Sequence, residues 1–430
     1  MLVLIEQSNV VAAERRRRDS TDSVRFSIPL YDPQGQYQAI KTEIEAAVLD
    51  VLASPAFHID PVVEQCERAV ANYCGCAHGV GVASGSDAVR MALMAEKIGR
   101  GDQVITTACA SLGSAVAILR TGATPVFVDI DPATYTIDPE LIESRLTSRT
   151  RAVMPVYRFG RMADMEPILD LARRFDLVVI EEASQAIGAE YGGRRAGSLG
   201  HYGAMSFRPS INSGGVGDGG LVTTNDPERA ERVRWLRDQG CQTSDDLEFA
   251  GQDLTLDAIQ AAIVMVKLKY LDGWTQSRRA NAARYRQLLG SSGLFETRLV
   301  IVAPDAFLSP KISELSPHAY NQFVVRLTQR DELQTYLMTR GIETDADCLL
   351  PVHRQACLAR LGYSRCRLPE SERAARECLA LPVYPELTPK QQERVVRSIA
   401  EFYGLVRRQS GSSAVGTDRD ERGPFDPCVS

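Results

Sequence analysis

Short runs of β-branched and aliphatic residues alternate with longer amphipathic stretches through most of this chain. Gln103–Thr106, Pro125–Ile130, Ala152–Val156, Leu177–Glu181 and Gly220–Thr224 have the pattern of strands buried on both faces. Asp87–Ile98, Leu112–Arg120, Met165–Phe175 and Pro227–Gln239 place their apolar residues at helical intervals between those runs. Strand and helix in alternation predict an α/β fold, a mixed and mostly parallel sheet sandwiched by helices. From Leu256 to Leu289 the pattern turns helical, with Ile259, Ile263, Val266 and Tyr270 on one face. Gln322–Leu327 and Glu332–Arg340 then predict a strand and a helix of a smaller C-terminal α+β domain. The expected organisation is a flexible N-terminal arm over 1–24, a large domain over 25–270, a small domain over 271–407 and a disordered tail over 408–430.

Composition narrows the function classes. The chain has 430 residues, 44% hydrophobic and 24% charged, which is ordinary for a soluble globular protein with ample core. A formal net charge of −6 argues against binding to nucleic acid or to an anionic membrane surface. No apolar run approaches the roughly 20 residues that span a bilayer. The first eleven residues carry Glu6 and lack a basic start, so no secretory signal is expected and the location predicted is cytoplasmic. Ten cysteines lie scattered, apart from Cys74-Gly-Cys76, and are expected to be reduced thiols. With His78 that pair lacks the second cluster a tetrahedral site requires, so no metal is expected.

Candidate chemistry begins at Ser84-Gly85-Ser86-Asp87-Ala88, where a strand gives way to a helix. Free amides at a helix start, with a glycine allowing close approach, suit an anion or phosphate, though Ser or Asp there also serves as a plain helix cap. Next come Val179-Ile180-Glu181-Glu182-Ala183-Ser184-Gln185-Ala186, then Ser206-Phe207-Arg208-Pro209-Ser210-Ile211-Asn212, then the glycine-rich 214–220. With 251–262 and Pro382-Val383-Tyr384-Pro385-Glu386-Leu387-Thr388, these motifs resemble the DegT/DnrJ/EryC1/StrS family in order and spacing, from about Ile28 to Tyr403. That resemblance implies the fold type I aminotransferase-like scaffold of pyridoxal-phosphate (PLP) enzymes. It also implies a homodimer with sites at the subunit interface and, as small-molecule substrates, nucleotide sugars or natural-product intermediates.

On the same resemblance, Ser206 takes the position of a serine that helps hold cofactor phosphate, and the Schiff-base lysine five residues later is Ile211. An alkyl side chain forms no imine and carries no proton. No lysine occurs between Lys97 and Lys267 to replace it. The aspartate that partners the pyridinium nitrogen corresponds to Glu182, whose extra methylene would displace a ring by about 1 Å. The stacking aromatic corresponds to Ser111, the phosphate-reaching asparagine of the neighbouring subunit to Asp253, and the arginine two residues on to Thr255. Ser86, Asp87, Gln185, Ser206 and Asn212 remain as substrate-binding or vestigial cofactor-binding candidates.

Side chains alternate along a strand, so Glu182 rather than Glu181 is expected to face the site, with its pKa raised by desolvation. Arg208 stands where the family usually has an aromatic residue; it either anchors an anion or neutralises Glu182. Tyr157 and Arg158 occupy a turn where relatives carry His-Leu-Tyr, and His353 lies in a segment resembling a substrate-side loop. Glu182, Arg208 and His353 are the catalytic candidates. Three expectations follow: PLP-independent acid–base catalysis (cyclase, isomerase, dehydratase or condensation) in biosynthesis, a non-catalytic partner of another pathway enzyme, or a reaction in which PLP or pyridoxamine phosphate (PMP) binds only noncovalently. The first, with no cofactor, is favoured because several ionisable residues line the former cofactor cavity.

Overall fold

A computed structural model of the chain describes residues 26–54, 61–238, 254–295, 300–302, 315–346 and 350–405. The expected arm over 1–24, the tail over 408–430, and Asp253 lie outside the described residues.

The first layer is helical: α1 (Pro33–Ala53) and α2 (Pro61–Cys74). The large domain is then built from β1 (His78–Val82), α3 (Gly85–Ala95), β2 (Gln103–Thr107), α4 (Leu112–Arg120), β3 (Thr124–Val128), β4 (Thr150–Val153), α5 (Met165–Phe175), β5 (Val178–Glu182), β6 (Tyr202–Ser206), β7 (Gly220–Thr224), α6 (Pro227–Arg237) and α7 (Ala258–Leu268). Strand order across the sheet is β1-β7-β6-β5-β4-β2-β3. All neighbouring pairs from β6 to β3 are parallel, while β7 runs against both β1 and β6. The sheet is therefore mixed and mostly parallel, as the alternation of strand and helix predicts. β1 and β6 are the strands of this sheet that the hydrophobic pattern does not single out, because His78-Gly79-Val80-Gly81-Val82 carries two glycines and Tyr202-Gly203-Ala204-Met205-Ser206 has little β-branched character.

Helices cover both faces. Val80, Val82, Val104, Ile180 and Val222 pack against Val89, Leu93 and Val233 on one side, and Ile105, Val153, Val179 and Leu221 against Ile168 and Val264 on the other. Ile263 and Val266 of α7 meet Ile40 and Ile44 of α1, with Ile259 and Tyr270 at the edge, which is the predicted helical stripe.

The long helix α8 (Leu271–Ser291) links two cores: Leu271 belongs to the large domain, whereas Ala282, Tyr285 and Leu289 lie in a second core. That core covers the sheet β8 (Val300–Val302), β9 (Phe323–Leu327) and β10 (Cys378–Leu381), all antiparallel, with α9 (Arg330–Thr339), α10 (Pro369–Glu377) and α11 (Pro389–Phe402). Ile28 also belongs to it, its N–H bonded to Gly341 O at 3.0 Å, so the residues just after 25 pack with the smaller unit rather than the large one.

One carboxylate ties the two units together. Asp129, just past β3, accepts from Glu370 N at 2.9 Å, Ser371 N at 2.8 Å and Ser371 Oγ at 2.7 Å, satisfying amides at the start of α10. Asp129→Ala removes a buried charged acceptor from three donors and is expected to cost about 3 kcal/mol of stability. Thermal unfolding checks this, with Asp129→Asn falling between alanine and wild type because its amide oxygen still accepts.

Candidate functional site

The carboxyl ends of β1, β2, β5 and β6 converge, as they do wherever ligands sit in open α/β sheets. A cavity of about 670 Å³ opens there, lined among others by Ser86, Ser111, Glu182, Gln185, Ser206, Arg208 and Ile211. Seven of the candidate residues therefore come together. Asp87, Asn212 and His353 do not.

Part of the cavity wall is formed by the starts of two helices. Ser84 caps α3, its Oγ accepting from Asp87 N at 3.1 Å, and Ser111 caps α4, its Oγ accepting from Ser114 N at 3.1 Å. The starts of both helices line the same space. Glycines permit this closeness: a Cβ on Gly85 would stand 2.6 Å from Ser206 Cβ. Asp87 is drawn into the cap instead of the cavity, accepting from Ser84 Oγ at 2.6 Å and facing Arg90 at 3.6 Å.

Glu182 and Ile211 give the lining an acidic and an apolar member as well. Glu182 is 7% exposed, and its backbone is fixed by Glu182 N to Pro155 O at 2.9 Å and Tyr157 N to Glu182 O at 3.0 Å. Burial pushes its carboxyl above the ordinary carboxylate range; the hydrogen bond from Ser184 Oγ and the charge of Arg158 oppose that rise without cancelling it. Glu181 points to the other face as the alternation requires. It accepts from Tyr157 Oη at 2.7 Å and from the amides of Gly197, Leu199 and Gly200 at 2.9, 2.7 and 2.6 Å.

Ile211 follows β6 in a tight turn, with Ile211 N donating to Arg208 O at 3.0 Å and Gly214 N to Ile211 O at 2.8 Å. Gly214 is obligatory there, since a Cβ would lie 2.0 Å from Arg208 O. No lysine lines the cavity among the described residues. Lys267 donates to Gly214 O at 2.6 Å from within the protein, and burial pushes its pKa down to about 8. The two helix starts thus suit the phosphate of a phosphorylated cofactor, and among the described residues the cavity offers no amine to hold one covalently.

Several expectations are corrected. Arg208 does not neutralise Glu182; its side chain is 69% exposed and faces Asp218 at 3.7 Å. Arg158, given no role from sequence, is the buried cation that faces Glu182. Its orientation comes from the turn that follows: Gln185 Oε1 accepts from Phe159 N at 2.8 Å, and Phe159 and Gly160 both have positive φ. Asn212 stitches the domains, its Nδ2 donating to Ala319 O at 3.2 Å and its Oδ1 accepting from Asn321 Nδ2 at 3.2 Å. His353 is fully buried, 3.2 Å from Glu372 Oε1 and beside Phe127, and burial lowers its pKa. Its neighbours Leu350 and Pro351 reach the cavity while the imidazole turns into the core.

A protein-family model described as the DegT/DnrJ/EryC1/StrS aminotransferase family matches residues 38–400. A pleiotropic regulatory protein of Geobacillus stearothermophilus is 43% identical over 88% of this chain and 99% of its own. A dTDP-3-amino-3,4,6-trideoxy-alpha-D-glucose transaminase of Streptomyces venezuelae is 39% identical over 87% of this chain and 96% of its own. Among solved structures, S. venezuelae DesV in complex with a ketimine intermediate superposes with a TM-score of 0.81 at 38% identity, covering 88% of this chain and 99% of that one. NtdA from Bacillus subtilis with bound cofactor PMP gives 0.77 at 28% identity, covering 87% and 83%.

Because the Glu182 pKa is higher folded than unfolded, the folded chain holds an extra proton between the two values. Its contribution to stability is greatest below about pH 4, the unfolded value, and is lost as pH rises through the folded one. Melting temperatures of wild type and Glu182→Gln, followed from acid to neutral pH, are expected to diverge in favour of the variant as pH rises. Parallel profiles would assign the burial penalty elsewhere.

Proposed function

The chain belongs to the DegT/DnrJ/EryC1/StrS aminotransferase family, and within it we propose a member that has left transamination for PLP-independent acid–base chemistry on a nucleotide-linked keto sugar or related natural-product ketone. The observation that carries the reading is the pairing of Glu182, buried and facing the cavity, with an alkyl side chain at 211. A carboxyl whose pKa is raised by burial holds its proton nearer neutrality and can exchange it with a bound carbon acid or carbonyl.

In this scheme the two helix starts and Ser206 bind the anionic part of the substrate. Arg158 stabilises negative charge that develops beside Glu182. Ser184 orients the carboxyl, and Ile211 keeps that end of the cavity apolar. The outcome is enolisation, hence isomerisation, dehydration or ring closure according to substrate. Relatives acting on dTDP- and UDP-linked sugars support the substrate class. A homodimer in the cytoplasm is part of the proposal.

Two observations favour other readings. The two helix starts suit noncovalent PLP or PMP, and a relative is a regulatory protein, which suits a non-catalytic partner. Incubation of the purified protein with a dTDP-linked 3-keto sugar in D₂O, without PLP, separates the three. Deuterium is expected at the carbon beside the carbonyl, slowed about 100-fold or more by Glu182→Gln. Exchange equal in both proteins, or in neither, removes the catalytic reading. Titration calorimetry with PMP is expected to give no binding at millimolar concentration; saturable binding there would restore the cofactor.

A further inference from the structure

Behind Ile211 lies a second, smaller cavity of about 140 Å³ that shares Gln185, Ser210 and Ile211 with the first. Its far wall carries Arg278 from α8, with Asp32, Tyr384 and Glu386 around it. Arg278 is 8% exposed, and its Nε is buried without a hydrogen-bond partner. Among the described residues the guanidinium makes no hydrogen bond and no ion pair.

A guanidinium removed from water is costly unless something pairs with it. The carboxylates nearby do not. Asp32 is committed to capping α1, its Oδ1 accepting from Gly35 N at 2.8 Å. Glu386 stands near enough to favour the Arg278 charge but forms no ion pair with it. Burial also raises the Glu386 pKa, which weakens its repulsion of an incoming anion. What remains is a preformed fork of donors facing a space of small-molecule size, next to the proposed proton-transfer site.

We propose that this second cavity is a carboxylate-binding subsite, in which Arg278 receives a carboxylate carried by the ligand whose other end lies beside Ile211 and Glu182. A planar guanidinium meets a carboxylate through two parallel hydrogen bonds, so the subsite selects acidic ligands over their neutral counterparts. It works through binding, so it stands or falls independently of whether Glu182 moves a proton.

Titration calorimetry of the full chain with D-glucuronate and D-glucose tests it. D-glucuronate is expected to bind at least tenfold more tightly than D-glucose. Arg278→Lys is expected to lose at least tenfold for the acid, because a point charge does not replace the fork. Glu386→Gln removes the competing carboxylate and is expected to hold or tighten D-glucuronate binding, and this arm remains informative if changes at Arg278 disturb folding. Equal affinity for the two sugars, with weakening of both by Glu386→Gln, would show a hydroxyl-binding site and overturn the proposal. No D-glucuronate binding at tens of millimolar would overturn it as well.

Discussion

At the carboxyl end of β5, Glu181 and Glu182 leave the backbone in opposite directions, and both are buried. Glu181 is held by three backbone amides from the segment just before β6 and by one phenol from the segment following β4. Such a set of donors is what lets a carboxyl stay deep inside a protein. By fixing its own side chain on the far face, Glu181 fixes the strand's register at its last residue. Glu182 then faces the cavity, where Ser184 and the charge of Arg158 partly compensate its burial.

The cavity is chemically divided by this arrangement. One part of its wall is made of the backbone at two helix starts, which depends on chain path and not on any one side chain. Its reactive end depends on single side chains at fixed backbone positions. Ile211 sits in a turn that Gly214 and the Arg208 carbonyl hold so tightly that the side chain there can change without moving the chain. A fold fixed in this way does not by itself specify the chemistry at one position, so family membership alone does not transmit an activity.

The seam between the two units draws on residues of the same motifs. Asn212 bonds to Ala319 and Asn321, Gly160 O accepts from Ala319 N at 2.8 Å, and Asp129 caps α10. Polar residues retained beside a cavity can therefore serve the seam and not the ligand.

Sequence by itself determined the layered fold and the face on which Glu182 lies, because periods of 3.6 and 2 are local properties of the backbone. The resemblance of its motifs to a known family pointed to Ser86, Ser111, Ser206 and Ile211 as site residues, and all four line the cavity. Tertiary structure decided the rest. Arg158 meets Glu182, and Arg208 does not, because a turn with positive φ at Phe159 directs one inward while the other swings to Asp218. His353 is spent on Glu372, and Arg278 comes to stand behind Ile211 from 67 residues further along the chain (278 − 211). Pairings of that kind depend on where separate elements dock, and no local period in the sequence encodes the distance between them.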